Sequence, residues 1–168
     1  ELTKEIEALV GRMATKDAYE LALISCALEL AGRPEASLTR GRLAELQEQN
    51  GSLRGATASI TRSGGQDLQV ETAGFAILAW LHDPAYQGHV RKAIEFVQGC
   101  RGASGTFGAT QATIVALRAL TAYAAANRAM REPGTLRILD GDTVIAERAF
   151  AAGDVDPITL DLWDKLPA

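Results

Sequence analysis

Only two cysteines, Cys26 and Cys100, occur in the 168 residues, too few for a disulfide framework. Each sits in or at the end of an apolar helical stretch, which leaves two readings open: small buried free thiols, or a single bridge between the pair. Histidine is as scarce, with only His82 and His89, and no two metal-binding side chains have local zinc-site spacing, so no metal ligand is assigned. No apolar run approaches the ~20 residues that cross a bilayer. Lys and Arg number 17 against 21 Asp and Glu, for a net charge of −4. The basic residues are scattered rather than gathered on one face, which argues against nucleic acid as a partner. The chain has no phosphate loop, nucleophile elbow or paired-carboxylate helix motif. No catalytic or cofactor-binding residue is therefore assigned, and the chain is not expected to be an enzyme. It also lacks a leader-like segment and opens on Glu1 rather than Met, which suggests a processed product or a piece of something longer.

What is present is helical pattern. Residues 2–13 place Leu2, Ile6, Leu9, Val10 and Met13 on one face and charges on the other, the signature of a half-exposed helix. After Thr15, a candidate N-cap, residues 16–31 are more apolar and stop at Gly32-Arg33-Pro34. Residues 39–49 are again amphipathic, with Leu43 and Leu46 inward. Residues 50–69 lose the period and read as an ordered loop, with a short strand and turn around Ala58–Thr61 and Ser63-Gly64-Gly65. Residues 70–81, VETAGFAILAWL, form an almost uninterrupted apolar run. Asp83 and Pro84 then cap and open the helix 84–98, in which Val90, Ile94 and Val97 face inward. Last comes GTFGATQATIVALRALTAY, residues 105–123, where only Arg118 interrupts the apolar surface, so a helix buried on most sides is expected.

Half-exposed and buried helices thus alternate three times. Three αα-hairpins with outer and inner helices predict a mainly α fold, part of an α/α toroid, rather than a bundle of equally amphipathic helices. After Asn127 the composition shifts. Arg131-Glu132-Pro133-Gly134 breaks the helix, residues 135–139 and 143–150 flank the turn pair Asp140-Gly141, and ITLDL, residues 158–162, alternates as a strand would. Three short strands do not support themselves and read as part of a sandwich. The domain division is therefore 1–130 and 131–168. Among polar residues on apolar helices, His82 is placed to answer the carbonyls ending its helix, and His89 reads as a surface residue. Glu71 and Gln111 each open a buried helix and serve its N-terminus.

Residues 105–123 resemble a signature of the α2-macroglobulin and complement C3/C4/C5 family, in which an aromatic-glycine pair precedes Ser-Thr-Gln-x-Thr and an apolar helix. Ala109 stands where that family has serine. VETAGFAILAWL is similar to the Val-Glu-x-Thr/Ala helix that precedes the signature by a comparable distance, and SITRSGG, residues 59–65, resembles bacterial members. The resemblance implies an α/α toroid, the thioester domain, inserted in a CUB-like β-sandwich. It also implies a parent protein that traps proteases, or tags surfaces covalently, outside the cytoplasm, in the periplasm or extracellular space. The family's reactive Cys-x-Glu-Gln does not occur: Gln47-Glu48-Gln49 has no cysteine two residues before its Glu-Gln, and neither Cys26 nor Cys100 is followed by it. The expectation is a structural half of the domain, whose partners are the upstream half of the toroid, the remaining β-domains and the parent's target proteases. Self-association through the open toroid face is a further expectation. The rival readings are a toroid enzyme of the terpene-cyclase or prenyltransferase kind, against which the lack of Asp-rich motifs weighs, and a helical interaction module.

Overall fold

The computed structural model describes residues 2–127, 132–160 and 162. Among them are six α-helices followed by one β-hairpin, so the fold is mainly helical with a small antiparallel sheet. The chain divides into two compact units, Glu1–Tyr123 and Ala124–Ala168.

In the first unit the helices are α1 (Thr3–Arg12), α2 (Ala18–Leu30), α3 (Ala36–Leu46), α4 (Gly65–Trp80), α5 (Gln87–Gly99) and α6 (Thr110–Ala126). Asp17, not Thr15, caps α2: its Oδ1 accepts from the Glu20 N–H at 3.0 Å. Thr15 instead accepts from the Asp17 N–H and donates to Glu20. Gly32 closes α2 in the left-handed region (φ +64), and the Arg33 N–H returns to the Leu28 carbonyl, as in a glycine-terminated helix. Helix α3 starts three residues earlier than the pattern implies, because Ala36 is buried and carries the inward face forward.

The central pair is α2 against α4, with α3 packed on both, α1 on α2 and α5 on α4. These contacts fit an arc of hairpins with α2 and α4 inside. The main core joins Leu21, Leu43, Leu53, Val70, Ile77, Trp80, Val90 and Val97. Helix α1 has no buried residue; its Ile6, Leu9, Val10 and Met13 cover a smaller cluster of Ile24, Leu28 and Ala36. Helix α6 departs from expectation. Ala112, Val115, Ala116 and Ala119 are buried, but Ile114 and Leu117 are 54% and 51% exposed. Val115 lies so close to Gly74 of α4 that a Cβ on that glycine would stand 2.6 Å from Cγ1. One side of α6 is therefore packed and the other is open, although both are apolar.

In the second unit, β1 (Gly134–Asp140) and β2 (Thr143–Phe150) pair antiparallel from Gly134↔Phe150 to Asp140↔Thr143, with an irregularity between Ile138 and Leu139. The loop is Gly141-Asp142, one residue later than the expected Asp140-Gly141, with Gly141 at φ +58, as a two-residue hairpin requires. Arg137 and Glu147 pair across the strands at 2.6 Å. The expected third strand does not form: residues 158–160 and Leu162 have no ladder partner, and Asp161 lies outside the described residues. Alternation alone cannot make a strand without an edge to bond. Here the Thr159 carbonyl accepts instead from the Arg148 guanidinium at 2.9 Å.

Candidate functional site

The distinctive chemistry lies where the loops before α4 and α6 meet their helices. Phe107, flanked by Gly105 and Gly108 at φ +84 and +99, is buried in the main core. Its N–H donates to Thr113 Oγ1 at 3.0 Å, and that hydroxyl is 3.5 Å from the Gly108 carbonyl oxygen. Thr113 is the last residue of Thr-Gln-Ala-Thr, so the segment folds back and fixes its own aromatic plug. The Asp67 carboxylate of α4 lies directly against Gly108, where any Cβ would overlap it. Gly108 thus lets the turn's backbone come against the Asp67 side chain of α4, while Thr113 ties the turn to α6. Gln111, in the first turn of α6, is half-buried.

Glu71 is fully buried and lies in the second turn of α4, because the helix starts at Gly65 rather than Val70. The expected role at the helix N-terminus falls to Asp67, the acid of the first turn. Glu71 Oε1 accepts from the Ser63 hydroxyl at 2.5 Å, while Oε2 has no partner among the described residues. Ser63 belongs to a string of hydroxyls: Ser59 Oγ is 2.9 Å from Thr61 Oγ1, which is 3.2 Å from Ser63 Oγ, and the Ser63 N–H donates back to Ser59 at 2.8 Å. With Oε1 accepting, hydrogens in this string point toward the carboxylate, and each bond polarises the next. Tyr19 stands nearby; burial pushes its phenol above the ordinary value, opposed by the Ile60 N–H beside it and reinforced by the Glu71 charge.

His89 is not a surface residue. Its Nδ1 is 2.7 Å from Gln47 Oε1, while Gln47 Nε2 donates to the His89 carbonyl at 2.9 Å. Gln47 Oε1 only accepts, so Nδ1 carries the proton and Nε2 is left as the acceptor. The ring lies against Trp80 and Tyr86, at centroid distances of 5.5 and 6.0 Å. Burial, then the neighbouring Lys92, holds its pKa below the ordinary value. His82 is exposed and makes no hydrogen bond among the described residues; the Leu81 carbonyl accepts instead from Gln87 Nε2 at 3.0 Å. Asp83 does cap, accepting from the Ala85 N–H at 3.0 Å, with Pro84 in the 3-10 turn before α5.

Cys26 and Cys100 are free thiols. Cys26 is buried in α2, where desolvation raises its pKa against the opposing pull of Arg118, and a thiol so placed is a poor nucleophile. The Glu-Gln of residues 48–49 lies beyond α3, where Glu48 accepts from Ser52. No group of three or more His, Cys, Asp or Glu is placed to hold a metal among the described residues. The residues singled out from sequence are therefore not brought to one centre. Sequence reading missed the Gln47–His89 clasp and the Ser63–Glu71 bond; the first spans 42 positions and leaves no local signal.

Helical hairpins with inner helices α2 and α4, joined to α6 through a glycine-bracketed aromatic that Thr113 ties in place, define a class of α/α domain. The family described as A-macroglobulin TED domain matches residues 6–123, and the chain belongs to this family of α2-macroglobulin and complement thioester domains. No curated protein matches the chain.

Proposed function

We propose that the chain is the structural part of the thioester domain of a bacterial α2-macroglobulin-like protease trap, working in the periplasm or outside the cell, with the thioester supplied by other sequence of the same protein. One observation carries this reading. The family signature is built into the α4–α6 joint as packing, Phe107 in the core and Thr113 tying the turn, while the sequence contains no Cys-x-Glu-Gln. The open apolar side of α6, with Ile114 and Leu117, is where the other half of the toroid packs, and the hairpin of the second unit continues into the β-domain. The chain itself performs no catalysis.

The test uses thiol counting and protease capture. In the gene product that carries this chain, methylamine releases a new thiol, and added protease is retained in a conjugate stable to denaturant. The isolated chain shows only the thiols of Cys26 and Cys100, unchanged by methylamine, and retains no protease. A parent that neither releases a thiol nor holds protease would sink the trap reading.

A further inference from the structure

Residues 56–63 form a strap with positive-φ glycines on either side, Gly55 at φ +91 and Gly65 at φ +54. Two ties hold it to the helices: Asp17 Oδ2 accepts from both the N–H and the hydroxyl of Thr57, and Ser63 donates to Glu71. Between the ties much of the main chain is open: among the described residues the carbonyls of Thr57, Ala58 and Ile60 and the N–H groups of Ala58 and Ser59 have no partner, while the Ser59 carbonyl accepts from the Arg62 N–H at 3.0 Å. Such groups must be met by water or by another polypeptide, and a run of them is a template for strand addition.

Beside this edge lies a cleft of about 550 Å3 between the strap and helices α1 and α2. Leu9, Leu23 and Ile24 give it an apolar wall, Ala58 and Ile60 form part of its rim, and Ile60 is 82% exposed. Its charged lining is one guanidinium, Arg12, and two carboxylates, Asp17 and Glu20. Arg12 is already paired with Glu20 at 2.5 Å, so the cleft has a surplus carboxylate in Asp17.

We propose that this cleft docks a peptide strand of a partner protein, whose main chain bonds residues 57–60, whose apolar side chain packs on Leu9, Leu23 and Ile24, and whose neighbouring basic side chain meets Asp17. Main-chain pairing gives the affinity, and the wall and charge select the sequence. An acidic peptide is disfavoured by the same surplus charge.

The probe is an acetylated, amidated heptapeptide alternating valine and lysine, titrated into the 15N-labelled chain. The expected result is amide shifts centred on Ala58 and Ser59, saturating with a millimolar or tighter Kd. N-methylation of the central peptide residues, which keeps the side chains but removes their donors, weakens binding by about tenfold or more. Leu23→Glu, with helicity checked by circular dichroism, does the same, and a glutamate-for-lysine peptide fails to bind. Should the Leu23→Glu chain not fold, the N-methylated peptide decides alone. Absence of shifts at these amides, or equal binding of the N-methylated peptide, overturns the proposal. Concentration-dependent shifts of the same amides without peptide overturn it too, and assign the edge to a second copy of the chain.

Discussion

Helices α4 and α6 have nearly the same apolar composition and opposite fates. Ten of the 16 residues of α4 are buried, including Trp80 and Ile77, whereas only Ala112, Val115, Ala116 and Ala119 are buried in α6. Helix α4 has α2, α3 and α5 packed around it, while α6 meets α4 through Val115 against Gly74 and leaves Ile114 and Leu117 open. An apolar helix surface states what a helix can bury, and its neighbours decide what it does bury.

The comparison breaks most visibly at Trp80. This side chain is fully buried, stacks on Tyr86 and donates through Nε1 to the Arg40 carbonyl at 3.1 Å. Trp80→Ala leaves a large cavity and an orphaned carbonyl, and is expected to cost about 3–5 kcal/mol in urea unfolding. A loss below about 1 kcal/mol would show that α4 is not the hub of the core. Next comes Gly108→Ala, where a methyl must displace Asp67 and sit at φ +99. The expected cost is about 1–3 kcal/mol, and relief by Asp67→Ala in a double-mutant cycle would locate the strain at the α4–α6 joint.

Glu71 sharpens the contrast from the other direction. It is a buried carboxylate in α4 with one satisfied oxygen and, among the described residues, no ion-pair partner. Glu71→Gln keeps an acceptor for Ser63 and removes a charge that burial disfavours. The expected outcome is unchanged stability or a gain of about 1 kcal/mol; a large loss would mean the charge itself organises the hydroxyl string. On α6, Leu117→Ala should change stability by less than about 0.5 kcal/mol in this chain. The same substitution at Leu21 of α2, fully buried, should cost about 2–5 kcal/mol.

Much of this was legible beforehand, because local pattern carries it. Helix existence, the alternation of outer and inner character from α1 to α5, the Gly32 stop, the Asp83-Pro84 start and the β1–β2 hairpin follow from period, caps and turn residues. What failed was non-local. The apolar period starts α4 at Val70, five residues after its actual start at Gly65, because Gln66 and Asp67 add nothing to that period, though Asp67 suits a first turn. The exposure of α6 depends on neighbours that its own residues do not encode. A third strand around Ile158 needed an edge, and the carbonyl of Thr159 met Arg148 instead. At the candidate site, the signature residues were recognisable, but their role as a packed joint became visible only once Phe107, Thr113, Gly108 and Asp67 were seen together.

The weakest expected effect tests the α4 side of the comparison through pH. His89 covers Trp80, and its pKa lies below the ordinary 6.5 because burial and then Lys92 disfavour the cation. Below the unfolded pKa the unfolded chain binds the proton that the folded chain resists, so ν in the unfolded state exceeds ν in the folded state and stability rises with pH. The contribution is complete above about pH 6.5 and is lost as pH falls through the unfolded and then the folded pKa. Carboxylates act in a separate window: Glu35, held at about 2 by Arg33, and Asp17, lowered by its hydrogen bonds to Thr57 and Glu20 against the larger opposing effect of burial, lose their contributions only under more acid conditions. Unfolding midpoints measured within the histidine window, below about pH 6.5 and above the range in which the carboxylates titrate, should therefore slope upward with pH in the native chain and flatten in His89→Gln. A slope that survives the substitution would assign the titration elsewhere, and leave the Gln47–His89 clasp as a neutral hydrogen bond closing the outer side of α4.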